Sequence, residues 1–425
     1  MYGISEVITT GFALFAMLFG AGNLIFPPIL GYELGSNWSV AAFAFILTGV
    51  GIPLLGLISI AITGRSIHNF ADKVSPLFSK FYAIALILSI GPLLALPRTG
   101  ATAYEVTFFH AGYTSSSLKY IYLGIYFAVA LVFSLKPSEV IDRIGKILTP
   151  VLIIVLVIIL TKGVFFNDLP IIEKTFNLPF KKGFIEGYQT LDALAMIVFS
   201  GVVLTTIRNG RELTKKQEFS FLIKTGLIAI FGLTAVYAGL TYIGATFGNF
   251  ELVAGAQRTD LLVKISSTLL GKFGYVVLGV CVAGACLTTA IGLIVSVAEY
   301  FSQLLKISYK KLVIITTIWA YFIAIFGVNF IVVISVPILI FLYPMSIALI
   351  FLNLLKIEND KVYKGVVLVT GLIGLYEALG VAGVVLPEQL AKIYDVLPLS
   401  NLGLAWVLPA LIVGFLCGIN KKIAK

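Results

Sequence analysis

The residues of this chain that could do chemistry all sit inside otherwise apolar segments. The first set is FGAGNLIFPP at 19–28, where Gly20, Gly22 and Asn23 weaken a helix and Pro27 and Pro28 remove two backbone donors. A helix broken at Gly20, Ala21, Gly22 and Asn23 offers free N–H groups at the start of one half and free carbonyls at the end of the other. The first suit an anion and the second a cation. The competing reading is a glycine-rich packing face, but the asparagine and double proline favour the break. The second set is AGACLTTAIG at 283–292, in which Ala285, Thr288 and Thr289 fall at i, i+3 and i+4 and share one helix face. Two hydroxyls and a carbonyl facing the carbonyls of a broken helix form a hard-oxygen site for a small alkali cation. In the alternative, both hydroxyls bond to their own helix or to a neighbour.

The third set is charge: Arg98, Glu105, Asp192 and Glu377 interrupt apolar runs. Charges inside a membrane are costly and call for partners or for work. Arg98 and Glu105 face the same way but stand two turns, roughly 10 Å, apart along a helix. Asp192 is therefore the better partner for Arg98, or else a group that loads a proton; Glu105 shares that second reading. Glu377 reads as structural or as a proton-accessible surface acid.

These residues need helices to hold them. Of 425 residues 59% are hydrophobic and 12% charged, against about 25% charged in soluble domains. At roughly 20 residues per crossing, this is enough for twelve transmembrane helices and leaves no room for a large soluble domain. The expected fold is an all-α polytopic membrane protein. The charge-free run 312–355 is too long for one crossing and should fold back at Gly327–Asn329, and 364–388 should be a span carrying Glu377. The sixth span, GYQTLDALAMIVFSG from Gly187, is expected to break between Ala195 and Gly201. Spans one and six are five apart, and an odd offset turns a duplicated unit upside down. That is the inverted-repeat plan of many secondary transporters, with a ligand site where the broken helices meet. The expected units are 1–165 and 184–355, each of five helices, then two further helices over 362–420.

The net charge of +10 follows topology and not a nucleic-acid face. With both termini cytoplasmic, twenty of the thirty Lys and Arg residues fall on the inner side, the positive-inside pattern. Glu6 and the absence of a small-residue cleavage pattern argue that the N-terminus is retained as the first span. Cys281, Cys286 and Cys417 are odd in number and lie in apolar stretches, so they suggest neither disulfides nor zinc. His68 and His110 lie near span ends, and no nucleophile stands beside an evident base, so an enzyme is disfavoured.

Several long motifs in order, GAGNLIFPP at 20–28, TGVGIPLLG at 48–56, GPLLALPRTGATAYE at 91–105, LDALAMIVF at 191–199, CLTTAIGLIVSVAEYF at 286–301 and PILIFLYP at 337–344, resemble the branched-chain amino acid:cation symporter family over essentially the whole chain. The resemblance implies a bacterial plasma-membrane carrier for leucine, isoleucine and valine, within the amino acid-polyamine-cation group. It implies sodium as the coupling ion, with protons as the alternative, and no other cofactor. It places sodium among the Ala16 and Phe19 carbonyls, Ala285, Thr288 and Thr289. It places the substrate carboxylate near the N–H groups of Ala21 and Gly22, and the ammonium near carbonyls around Phe199 and Ser200. Tyr104 is either a substrate hydrogen-bonding group or an interface aromatic. A channel or a ligand sensor remains the different-class alternative, separable by failure to concentrate substrate.

Overall fold

Inside hydrocarbon every backbone polar group must be satisfied within the chain, and the apolar runs accordingly become helices. The computed structural model describes residues 3–63, 67–108, 115–135, 139–198, 214–250 and 258–419, and these contain helices, turns and irregular links but no strand. In order they are α1 (Ile4–Leu18), α2 (Ala21–Leu34), α3 (Trp38–Ile46), α4 (Ile52–Thr63), α5 (Ile67–Ala71), α6 (Pro76–Leu88), α7 (Ala95–Thr107), α8 (Ser116–Leu135), α9 (Glu139–Phe165) and α10 (Pro179–Tyr188). There follow α11 (192–198), then α12 (Lys215–Thr246), α13 (Arg258–Leu305), α14 (Tyr309–Ala324), α15 (Val328–Leu354), α16 (Asp360–Val381), α17 (Glu388–Val396) and α18 (Val407–Ile419). Among the described residues seven stretches are long and apolar enough to cross a membrane: Ala21–Thr63, Pro76–Thr107, Ser116–Leu135, Lys216–Thr246, Val276–Leu305, Val328–Leu354 and Asp360–Val381.

The interruptions have local causes. α1 and α2 are separated at Phe19 and Gly20, both extended, while Pro27 and Pro28 lie inside α2 without ending it. The break therefore belongs to the glycine and asparagine, not to the prolines. Gly327, at φ +87, turns α14 into α15 where the fold-back was expected. Gly271, at φ +68, divides α13 into a short first piece and a long span. Two wide-turn π segments, Leu47–Gly51 and Ser89–Leu93, interrupt the second and third spans. They fall on the TGVG and SIGPL stretches, where glycine and proline loosen the ordinary i to i−4 ladder.

Of the expected break interval between Ala195 and Gly201, residues 195–198 are helical, and the interruption among the described residues lies earlier. The chain leaves helical geometry at Gln189–Leu191, with Leu191 at φ +64, and is helical again over 192–198. Residues 199–201 lie outside the described residues. The earlier position follows from side-chain capping: Thr190 accepts from the Asp192 N–H at 3.4 Å and so satisfies a donor that opens α11.

α2 packs chiefly on α12, α13 on α7 and α9, α15 on α16, and α10 on α3. The α2–α12 contact is backbone on backbone. A methyl group at Gly31 would run into the Thr241 carbonyl, and one at Gly244 into the Pro28 carbonyl. Close approach of this kind is how membrane helices gain packing without a hydrophobic driving force between them. The prediction is that Gly31→Ala and Gly244→Ala each lower the yield of monodisperse protein in detergent size-exclusion chromatography several-fold. Gly292→Ala, where a methyl group meets nothing within 4 Å, leaves the yield unchanged.

Candidate functional site

The two breaks meet at one carboxamide. The Phe19 N–H still bonds the Phe15 carbonyl at 2.9 Å, closing α1. The next donor, the Gly20 N–H, turns away to the Asn23 side-chain oxygen at 3.0 Å, which deprives the Ala16 carbonyl of the donor that a continuous helix would supply. The Asn23 Nδ2 lies among three acceptors: the Leu18 carbonyl at 3.0 Å, Asp192 Oδ2 at 2.8 Å and the Tyr237 hydroxyl. The Tyr237 hydroxyl in turn donates to Asp192 Oδ2 at 3.2 Å. Asn23 is 1% exposed and Asp192 5%, so little water competes for these bonds. Asp192 opens α11, where a carboxylate suits the positive end of the helix.

Arg98 lies beside this knot, 3% exposed. Arg98 and Asp192, the expected pair, act on each other electrostatically but through no direct hydrogen bond among the described contacts: the Arg98 Nη1 donates to the Gln189 carbonyl at 2.7 Å, and Asp192 Oδ2 is taken by Asn23 and Tyr237. The carbonyl at the end of α10 carries the negative end of that helix and is a suitable resting place for a cation. The guanidinium also stands 5.3 Å from the centre of the Phe26 ring. Gln189 is fixed from the other side by the Ser335 hydroxyl, 2.6 Å from its Oε1, and Tyr188 stacks on Tyr343 at 4.0 Å.

Glu105 is elsewhere. Its carboxylate accepts from the Val328 N–H at 2.9 Å and from the Thr259 hydroxyl at 2.8 Å, capping the start of α15 and tying it to the first piece of α13. It does not pair with Arg98, two turns away on the same helix. Glu377 accepts from Tyr394 on α17.

Thr288 and Thr289 both donate to the Ala285 carbonyl at 2.9 Å. The hydroxyls thus bond to their own helix, and three oxygens gather on one face of α13. α1, which carries Ala16 and leads into Phe19, packs on α12, so the two oxygen sets stand on separate helices. Tyr104 is buried between Phe108 and Tyr122, with ring centres 6.4 and 5.7 Å away. Phe199 and Ser200 lie outside the described residues.

The structure adds Gln189, Thr190, Tyr237, Ser335 and Tyr343 to the neighbourhood. Gln189 and Thr190 had a signal in the sequence, since two polar residues just before a buried Asp make a polar step in an apolar span. Tyr237 had none: a tyrosine in a charge-free run reads as packing.

A family model described as "Branched-chain amino acid transport protein" matches residues 4–424. Branched-chain amino acid permease BraB of Bacillus subtilis (strain 168) is 42% identical over 424 residues, covering 98% of this chain and 95% of that protein. In fold, the chain is similar to the inward-facing conformation of Mhp1, with a TM-score of 0.62 at 14% identity over 98% of this chain and 91% of that one. It is also similar to a Na+-coupled sialic acid symporter in a substrate-bound outward-open state, with a TM-score of 0.58 at 13% identity over 96% of this chain and 89% of that one.

A direct test of the knot is Asn23→Ala. It strands the Gly20 N–H, the Leu18 carbonyl and one side of Asp192, at about 1–3 kcal/mol for each buried group left unpaired. The unfolding midpoint of the purified protein should fall by about 2 °C or more, whereas the control Asn401→Ala, at an exposed position, should not move it.

Proposed function

The chain belongs to the branched-chain amino acid transport protein family, whose members are carriers and not enzymes, and from that premise we propose sodium-coupled import of leucine, isoleucine and valine by alternating access. The observation that carries the reading is the meeting of two interrupted helices at Asn23 and Asp192, the arrangement by which membrane carriers expose backbone groups to a buried ligand. In this reading the helices make twelve crossings in a bacterial plasma membrane, with both termini cytoplasmic. Residues 1–165 and 184–355 are inverted five-helix repeats, and 362–420 supply two further helices.

The proposed cation site draws on the Ala16 and Phe19 carbonyls and on Ala285, Thr288 and Thr289. The chemistry of the donors supports it. The Ala16 carbonyl is released by the Gly20–Asn23 bond, and the α13 oxygens are hard and neutral, which suits an alkali cation and not a soft metal. Sodium drawing α1 toward α13 would favour one arrangement of the first span. Amino acid bound beside it would gain affinity, and the gain is reciprocal. Each sodium carried inward draws about 2.3 kcal/mol per 100 mV from the membrane potential.

On the substrate side, Ala21 and Gly22 are the first residues of α2, and their N–H groups are oriented to receive a carboxylate. The ammonium end is assigned to carbonyls around Phe199 and Ser200. An apolar pocket separates ligands differing by one methylene by only about 1–3 kcal/mol, so leucine, isoleucine and valine compete. The proton-coupled alternative assigns the loading step to Asp192 or Glu105.

The deciding measurement is radiolabelled leucine uptake into proteoliposomes under an inward sodium gradient, a matched proton gradient, or neither. Accumulation with sodium alone, competed by isoleucine and valine, is expected. Accumulation with protons alone overturns the coupling ion, and failure to accumulate under either gradient overturns the carrier reading in favour of a channel or sensor. In the same assay Thr289→Ala should raise the half-saturating sodium concentration by roughly tenfold, the loss of about 1.4 kcal/mol. An unchanged half-saturation removes Thr289 from the site.

A further inference from the structure

Arg98 is buried with a hydrogen-bond donor that its visible contacts leave unused. It is a buried guanidinium near the positive end of α2, and a methyl group on Gly22 would come within 2.9 Å of its Nη2 and 3.3 Å of its Cζ. A cation beside a helix N-terminus is repelled by it, and a charge with little water around it needs compensation. Of its five N–H donors, one on Nη1 goes to the Gln189 carbonyl, and the Nε–H, buried, has no partner. Asp192 is the carboxylate that acts on Arg98 electrostatically, but its Oδ2 is engaged by Asn23 and Tyr237. Tyr343 and Cys286 also face the guanidinium and are neutral. Ala21 and Gly22, as the first residues of α2, have no acceptor within their own helix.

An unpartnered guanidinium donor and the first N–H groups of α2, which have no acceptor in their own helix, therefore stand together at the break. We propose that Arg98 binds the α-carboxylate of the transported amino acid, together with the first N–H groups of α2. The inference rests on the carrier reading above and adds a side chain to it. A planar guanidinium matches a carboxylate in a two-bond fork, whereas a lysine presents only a point charge. A ligand carboxylate there meets both the unpartnered Nε–H of Arg98 and the positive end of α2. The Phe26 ring lies 5.3 Å from the guanidinium, and the Gln189 carbonyl holds Nη1, which leaves Nε and Nη2 for the fork.

The test compares leucine with leucinamide, which keeps the ammonium and the side chain but lacks the carboxylate. Binding of both to purified protein is measured by calorimetry at fixed sodium, alongside leucine uptake. Wild type should prefer leucine by about tenfold or more. Arg98→Lys should weaken leucine by a similar factor and leave leucinamide unchanged. Gly22→Ala, which displaces the guanidinium without deleting it, should shrink the same preference and covers the case in which the Arg98 variant fails to fold. If folded variants keep the wild-type preference, or lose both ligands equally, Arg98 is structural and the proposal falls even while sodium-driven uptake stands. If wild type shows no preference for leucine over leucinamide, the carboxylate is not read at all. If leucine binds with the predicted selectivity but does not accumulate, the carrier reading fails and the Arg98 site survives it.

Discussion

The rest of the structure depends on the side chain of Asn23, because it makes the break in the first span permissible. An interrupted helix in a low-dielectric interior leaves donors and acceptors that must be paired. Asn23 answers the Gly20 N–H and the Leu18 carbonyl of its own break and reaches Asp192 at the start of α11. The two interrupted spans are thereby joined through one carboxamide. Tyr237, on α12, extends the connection to the helix against which α2 is most closely packed.

The same economy governs the other buried charges. Pairing charge with charge is the arrangement that composition suggests. What the fold provides in direct contacts is charge against helix termini: Arg98 on the carbonyl of Gln189 that caps α10, Asp192 at the start of α11, Glu105 on the first N–H of α15. A helix end supplies a fixed partial charge of opposite sign with several hydrogen bonds in known directions.

On the side where α2 ends and α10 begins, the polar groups are organised differently. Lys182 reaches Glu33 at 2.8 Å and Glu186 at 3.2 Å, and Arg258 reaches Glu186 at 3.3 Å. Arg258 also lies 5.7 Å from the Phe26 ring, whose other cationic neighbour is Arg98. Phe26 thus contacts both the partly exposed ion cluster and the buried site, and with Arg258 it links α2 and α13 to α10. Glu105, Thr259 and Val328 add a tie between α7, α13 and α15.

Much of this was legible in the residues. Hydropathy determined the helical class, because apolar runs in a membrane have no other way to pair their backbones. The glycines and asparagine at 20–23 determined that the first span breaks, and the excessive length of 312–355 with Gly327 determined the fold-back, since these depend on local chain geometry. Ala285, Thr288 and Thr289 share a face by helical periodicity alone. Only the tertiary structure decided what the charged residues do. The sixth span breaks at Gln189–Leu191 because Thr190 can satisfy the opening donor of α11, a choice that composition does not rank. Arg98 rests on a carbonyl 91 residues away, and Asn23 finds Asp192 across 169. Such partners are set by which helix ends the packing brings together, and sequence periodicity carries information about one helix at a time.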